Sequence, residues 1–383
     1  MIIFSVIMII VAMIYYLKIL QYFYGLLRLH PGANPQQYSV TVLIPARNEE
    51  KAIARCLDSV LNQDYPKNLL QIHVIDDHSI DRTAAIVEDY QQRYPGQIQL
   101  HCLQEKVDFH QKHRNQAYKK AAIQYGIDQS DSEIIATIDA DCWAQASWLT
   151  TLLRHFYDDV GMVCGYVLYD KNPEQNLFQR LQALEFLGLV TAGAGSLGSG
   201  QPVVGNGANL AYRRSVFTEV NGFTDIDQLP SGDDDLLMQK IHTQTKWHIR
   251  FAVEKTAINF TEPMPNLKQF LNQRTRWASK STHYRNKMLT VFLSIVYCFY
   301  LFLVIGTIYS LASGLKYLLP LLLMLGKWVT EFLVVKKGCD FTERRDWLHY
   351  YPITQIFQIL YILWVGFYGV FGKYDWKGRQ ISN

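Results

Sequence analysis

The 383-residue chain has no C-x-x-C pair, and its six cysteines (56, 102, 142, 164, 298 and 339) stand at no spacing with histidine that suits zinc. They read as reduced, structural residues. His110 and His113 form an H-x-x-H, a signal too weak by itself to imply a ligand set, so no metal is expected there. Also missing are a G-x-G-x-x-G after the first strand-like run and a G-x-x-x-x-G-K-[ST] anywhere, which argues against a dinucleotide dehydrogenase and a P-loop ATPase. Any phosphate must then be held by metal and basic side chains. Charge is scarce in four blocks. Ile2 to Tyr24 carries only Lys18, Met288 to Gly314 and Tyr351 to Phe371 carry none, and Tyr317 to Val335 carries Lys327 and Glu331.

The first block is long enough to span the ~30 Å of a bilayer's hydrocarbon. It lacks the basic start of a secretory signal, so residues 1–28 are expected to stay attached as a transmembrane helix. Residues 36–285 have ordinary globular composition, and 286–383 read as a membrane region with two to three segments. The formal charge of +3 adds little. Arg28, Lys280, Arg285 and Lys287 flank the first two blocks and put the globular part on the cytoplasmic side of a plasma (inner) membrane. If all three later blocks cross, Lys336, Lys337, Arg344 and Arg345 are cytoplasmic too, but the basic tail GKYDWKGRQ falls outside. One partial or interfacial segment is the expected resolution. Lys327 and Glu331 share a helix face four residues apart. They either meet a partner or a translocated substrate, or pair with each other near the interface.

Within the globular part, YSVTVLIPARNEE (38–50) is a β-branched run followed by charges that open a helix, and KAIARCLDSVLN (51–62) has one apolar helical face. LLQIHVIDDHSIDRT (69–83) gives a second strand, followed by a helix over 83–94 and a strand near 98–103. A helix over 113–125 and a strand over 134–138 complete the alternation. Such a chain builds a mostly parallel, doubly wound α/β sheet, in which ligands bind beyond the carboxyl ends of the strands. Three acidic clusters fall there: Asp76 with Asp77, Asp139 with Asp141, and Asp233 to Asp235. Helix capping explains one such cluster comfortably and three poorly.

In this order VLIPARNEE, VIDDHSIDRT, QKHRNQA, IDADCW, GNGANLAYRR, GDDDLLMQK and QRTRW resemble the family 2 glycosyltransferases of the GT-A (Rossmann-like) fold, in their membrane-integrated branch. The resemblance covers about residues 38–280. It implies a nucleotide-sugar donor, Mg²⁺ or Mn²⁺ as cofactor, and a lipid-linked or glycan acceptor at the membrane. No nucleic acid is implied, and membrane partner subunits are compatible with it. Breaking the anomeric C–O bond builds charge on the departing diphosphate, which a divalent ion held by one or two carboxylates neutralises. Asp139 and Asp141 are expected on one side of an extended segment, with Asp141 the direct metal ligand and Asp139 nearer the nucleotide or sharing the ion.

The resemblance assigns Asp76 and Asp77 to uridine recognition, and Lys112, Arg114 and Arg47 to diphosphate contact, with exposed cations as the alternative. Fitted through Leu237 and Lys240, the family's acidic motif implies Asp234 as the general base that takes the acceptor's proton, and a slide of one residue makes it Asp233. Gln273, Arg276 and Trp277 match Q-x-x-R-W, an acceptor and diphosphate element that could instead be an interfacial anchor. The run 175–190 is either a membrane-surface helix that guides the acceptor or a core helix. AGAGSLGSG (192–200) reads as a mobile loop. The expected activity is inverting, metal-dependent transfer from a UDP-sugar. Processive polysaccharide synthesis and a non-catalytic nucleotide-sugar sensor are the alternatives, while a nucleotidyltransferase would want a glycine-rich loop that VLIPARNEE does not supply.

Overall fold

The computed structural model describes residues 2–105, 117–172, 175–229, 231–284, 286–376 and 379–382. The chain forms two compact units, one of Leu29–Asp170 with Val204–Glu262 and one of Met1–Arg28, Lys171–Val203 and Pro263–Asn383.

The first unit holds a seven-stranded sheet among the described residues. Its strands are β1 (Val40–Ala46), β2 (Leu70–Asp76), β3 (Ile98–Cys102), β4 (Ile134–Thr137), β6 (Val160–Gly165), β8 (Leu210–Arg213) and β9 (His248–Ala252), in the order β3-β2-β1-β4-β8-β6-β9. β5 (Trp143–Ala144), β7 (Val167–Tyr169) and β10 (Asn259–Thr261) form a small second sheet. β1 pairs in parallel with β2 and β4, and β2 with β3; within the seven-stranded sheet only β8 runs antiparallel to both neighbours. β1 and β2 are buried on both faces apart from Gln71 and the half-buried Pro45, as the continuous apolar runs require. Helices α2 (Ile53–Leu61), α3 (Thr83–Arg93), α4 (Tyr118–Asp128), α5 (Trp148–Leu153), α7 (Arg214–Glu219) and α8 (Asp235–Gln244) belong to this unit. The α/β fold read from the sequence is therefore the fold observed.

The second unit contains α1 (Ile2–Leu26), α6 (Leu177–Gly198), α9 (Leu267–Ser279), α10 (Lys287–Ala312), α11 (Leu319–Phe341) and α12 (Tyr351–Phe371). Among the described residues Ile2–Leu26, Lys287–Ala312 and Arg345–Phe371 are long and apolar enough to cross a membrane. The stretch expected to be a mobile loop is helical through Gly198. Packing overrides glycine's low propensity here. A Cβ on Gly195 would stand 2.4 Å from the Tyr22 carbonyl oxygen, and one on Gly25 2.0 Å from that of Gly195, so α1 and α6 cross backbone to backbone. Most of α6 is buried, which selects the core-helix reading over the surface one. Lys327 is fully buried and pairs with Glu331 at 2.9 Å, so the two charges satisfy each other inside the unit. Gln355 and Gln358 also accept from Lys327, and the Tyr15 and Tyr300 hydroxyls donate to Glu331.

Candidate active site

Two loops at the carboxyl edge of the sheet are tied together residue by residue. Arg47 Nη1 donates to the Asp77 carbonyl at 2.7 Å, and Asn48 N–H donates to Ser79 Oγ at 2.9 Å. The Asn48 amide oxygen accepts from Ile80 N–H at 2.9 Å, and Glu50 N–H and Asp81 Oδ2 stand 3.1 Å apart. Residues 48–50 therefore bridge to the next loop, and α2 begins only at Ile53. Asn48 and His78 take positive φ (52° and 59°), the left-handed geometry that such tight crossings impose. Burial works to raise the Asp81 carboxyl, but hydrogen bonds from Thr83 and from the Glu50 backbone hold it below its usual range.

Asp76 ends β2 and is buried. One of its carboxylate oxygens accepts from Ser79 N–H at 3.2 Å, while the other is buried without a hydrogen-bond partner. Leaving such an acceptor unsatisfied costs about 1–3 kcal/mol, which marks a place where a ligand donor would be stabilising. Asp77 points elsewhere, to His78 Nδ1 at 2.9 Å and Arg47 Nη1 at 3.7 Å.

Asp139 and Asp141 follow β4, but not on an extended segment. Cys142 N–H donates to the Asp139 carbonyl at 2.9 Å and closes a tight turn, so the expectation of two carboxylates on one side of a strand is corrected. The turn leaves Asp141 exposed and Asp139 half-buried. The neighbouring thiols of Cys142 and Cys56 are pushed up by burial first and then by the charges of Asp141 and Asp139, so they stay protonated and are not nucleophiles.

Lys119 on α4, which sequence reasoning missed, joins two of the acidic clusters. Its Nζ lies 2.8 Å from Asp139 Oδ1 and 3.0 Å from Asp233 Oδ2. Burial disfavours the ammonium, but Asp139 and then Asp233 outweigh it, and the group is held well above the usual lysine range. The next residue, Lys120, is buried and donates to the Leu229 and Ser231 carbonyls at 2.6 and 2.7 Å, holding the approach to the third cluster. A doublet of lysines carries no period or motif of its own, so nothing in the sequence singled Lys119 out.

Asp234 caps α8, with Oδ1 accepting from Asp235 N–H at 2.7 Å and Oδ2 from Gly207 N–H at 3.2 Å. Gly207 lies close to the bridge: a Cβ there would stand 2.7 Å from Asp233 Oδ2 and 3.0 Å from Lys119 Nζ, and would push the ends of both side chains aside. Lys240, one turn along α8, anchors the helix to the Gly222 and Thr224 carbonyls at 2.7 and 2.8 Å. Lys119 thus joins Asp139 to Asp233, and Gly207, packed against that pair, donates its N–H to Asp234. Lys112 and Arg114, with the H-x-x-H histidines, lie outside the described residues. Gln273, Arg276 and Trp277 share one partly exposed face of α9 in the helical unit, as their i, i+3, i+4 spacing demands.

Residues 134–367, well over half of the chain, match the profile of glycosyl transferase family group 2, and residues 41–220 match that of glycosyl transferase family 2. The chain belongs to the family 2 glycosyltransferases. It is similar to the probable glycosyltransferase YdaM of Bacillus subtilis (strain 168), 28% identical over 256 residues that cover 66% of this chain and 57% of that one. A hyaluronan synthase of Streptococcus pyogenes serotype M3 is 28% identical over 271 residues, 67% of this chain and 60% of its own. The chain therefore spans about three-fifths of these curated relatives. Among solved structures, a mannosyltransferase from Pyrobaculum calidifontis in complex with GDP-Man and Mn²⁺ superposes with a TM-score of 0.59 at 19% identity, over 93% of this chain and 99% of that one. This family 2 glycosyltransferase accordingly has the GT-A fold and, among its described residues, three helices long and apolar enough to cross a membrane.

Proposed function

We propose that this glycosyltransferase transfers a sugar, with inversion, from a UDP-sugar to a lipid-linked or polysaccharide acceptor at the cytoplasmic face of a membrane. The observation that carries the reading is the Lys119 bridge, which draws the Asp-x-Asp turn and the acids at the start of α8 together at the carboxyl side of the sheet. In one displacement the acceptor oxygen bonds to the anomeric carbon, the bond to the diphosphate breaks, and the acceptor proton passes to Asp234. Asp234 is preferred over Asp233 because Asp233 pairs with Lys119 at 3.0 Å, whereas the Gly207 and Asp235 amides orient the Asp234 carboxylate. The unpaired oxygen of Asp76 accepts from the base or ribose, with Asp77 and Arg47 beside it. Arg276 serves the diphosphate, and Trp277 with Gln273 serves the acceptor sugar.

Mg²⁺ or Mn²⁺ would be held by Asp141, with Asp139 at its side, and supplies the positive charge that the leaving diphosphate needs. The donor set fits a hard cation. Asp141 is an exposed carboxylate, and no group of three or more His, Cys, Asp or Glu among the described residues makes a cage, so phosphate oxygens and water would complete the shell. The presence of GDP-Man and Mn²⁺ in the Pyrobaculum enzyme supports the class of donor and ion and makes a GDP-sugar the alternative donor. Similarity to hyaluronan synthase favours a second reading, processive synthesis. Asp141→Ala and Asp234→Asn are expected to lose transfer by at least about 100-fold, with nucleotide diphosphate binding retained in Asp234→Asn. Full activity in both variants would overturn the mechanism, and product length separates single transfer from polymerisation.

A further inference from the structure

Arg274 sits inside the Q-R-T-R-W run, yet its side chain is 3% exposed while Gln273, Arg276 and Trp277 reach the surface of α9. Its Nη2 donates to Glu185 Oε2 on α6 at 2.5 Å, and its Nη1 donates to Gln273 Oε1 at 2.8 Å. The guanidinium carbon lies 4.2 Å from the centroid of the Trp277 ring and 4.8 Å from that of Phe270. The other carboxylate oxygen of Glu185 accepts from the Tyr361 hydroxyl on α12. One guanidinium thus touches two of the three motif side chains while a buried acid fixes it from behind.

An ion pair this dry gains little over well-packed apolar residues, so stability alone is a weak reason for it. A planar fork that donates in two directions and stacks on an indole is a geometric device that lysine cannot reproduce. We propose that Glu185, Arg274 and Tyr361 are positioning residues for the glycosyl transfer: they set the orientation of Gln273 and Trp277 on α9 and through them the acceptor. The proposal rests on the reading of Gln273, Arg276 and Trp277 as the acceptor and diphosphate element.

The test uses the detergent-solubilised full chain. Arg274→Lys and the double variant Glu185→Gln with Arg274→Gln are compared with the parent; the double variant leaves no uncompensated buried charge and so keeps the fold. Trp277 emission is isolated by subtracting the same protein carrying Trp277→Phe, and its quenching by iodide is measured. The expected result is a rise in Trp277 quenching in both variants, together with a kcat for sugar release lowered roughly 10- to 100-fold. KM for the nucleotide sugar and the affinity for UDP with Mn²⁺ stay at parental values. Tyr361→Phe gives the same pattern more weakly. Unchanged Trp277 quenching overturns the proposal, as does a loss of UDP binding in step with kcat, which would mark a general structural role. Trp277→Ala separates the two levels of inference. If it transfers sugar at the parental rate, the motif reading fails and takes the proposal with it; if it is inactive while the Arg274 variants keep kcat, only the positioning role fails.

Discussion

Asp139 and Asp233 share one ammonium, so removing it does more than delete two ion pairs. In Lys119→Met two carboxylates held close together repel each other, and among the described residues neither has another cation within ion-pair distance. The variant is expected to lose about 2–4 kcal/mol, somewhat less than a fully buried pair would cost because Asp139 is a third exposed. Chemical unfolding reads this, and Lys119→Arg is expected to restore most of it. An undiminished unfolding midpoint in Lys119→Met would show that the bridge contributes nothing. His73, buried on β2 with the His101 ring 5.1 Å away, supplies a pH signature. Burial first, then His101, lowers it from 6.5 to about 4. The unfolded chain therefore binds the proton more readily between those values, and the native state loses stability as pH falls from about 6.5 to about 4. The span corresponds to about 3 kcal/mol. The melting point of the parent relative to His73→Leu should fall as the pH drops through that window; an unchanged difference would contradict the assignment. At this scale the acids were legible because carboxylates at strand ends follow a pattern. Lys119 and Glu185 were not, since each becomes meaningful only when tertiary structure brings a partner from far along the chain.

Elements show the same division between pattern and packing. The alternation of β1, α2, β2, α3, β3, α4 and β4 follows from periodicity, and the boundaries moved by only a few residues. The glycine run at 192–200 misled because local propensity favours a loop, whereas the α1–α6 crossing needs residues without a Cβ. Gly195→Ala is thus expected to cost about 1–3 kcal/mol, since backbone must shift, while Gly188→Ala, whose Cβ would meet only the Val335 methyl at 3.1 Å, costs less. Thermal stability in detergent ranks the two, and equal melting points would argue against the close crossing. The Lys327–Glu331 network tests element packing differently. Lys327→Met strands a buried carboxylate and is expected to cost about 3–5 kcal/mol, and adding Glu331→Gln should recover most of that loss. A double variant no more stable than the single one would show that the charges are not each other's principal partners.

For the whole molecule, the order of motifs carried the family, and the fold agreed with it, because strands alternating with helices build the parallel sheet beyond whose carboxyl ends such motifs fall. Donor and acceptor remain proposals because their selectivity depends on side chains that touch the ligand and follow no repeating pattern. The measurement that tests the account most directly follows nucleotide diphosphate release by the purified full chain from a panel of UDP- and GDP-sugars. It is run with Mn²⁺ and with a chelator, with and without a membrane lipid extract, in parent and Asp234→Asn. The account predicts release from one donor class that needs the ion, rises with the extract and disappears in Asp234→Asn. Release that persists in the chelator, or that Asp234→Asn leaves intact, would contradict it.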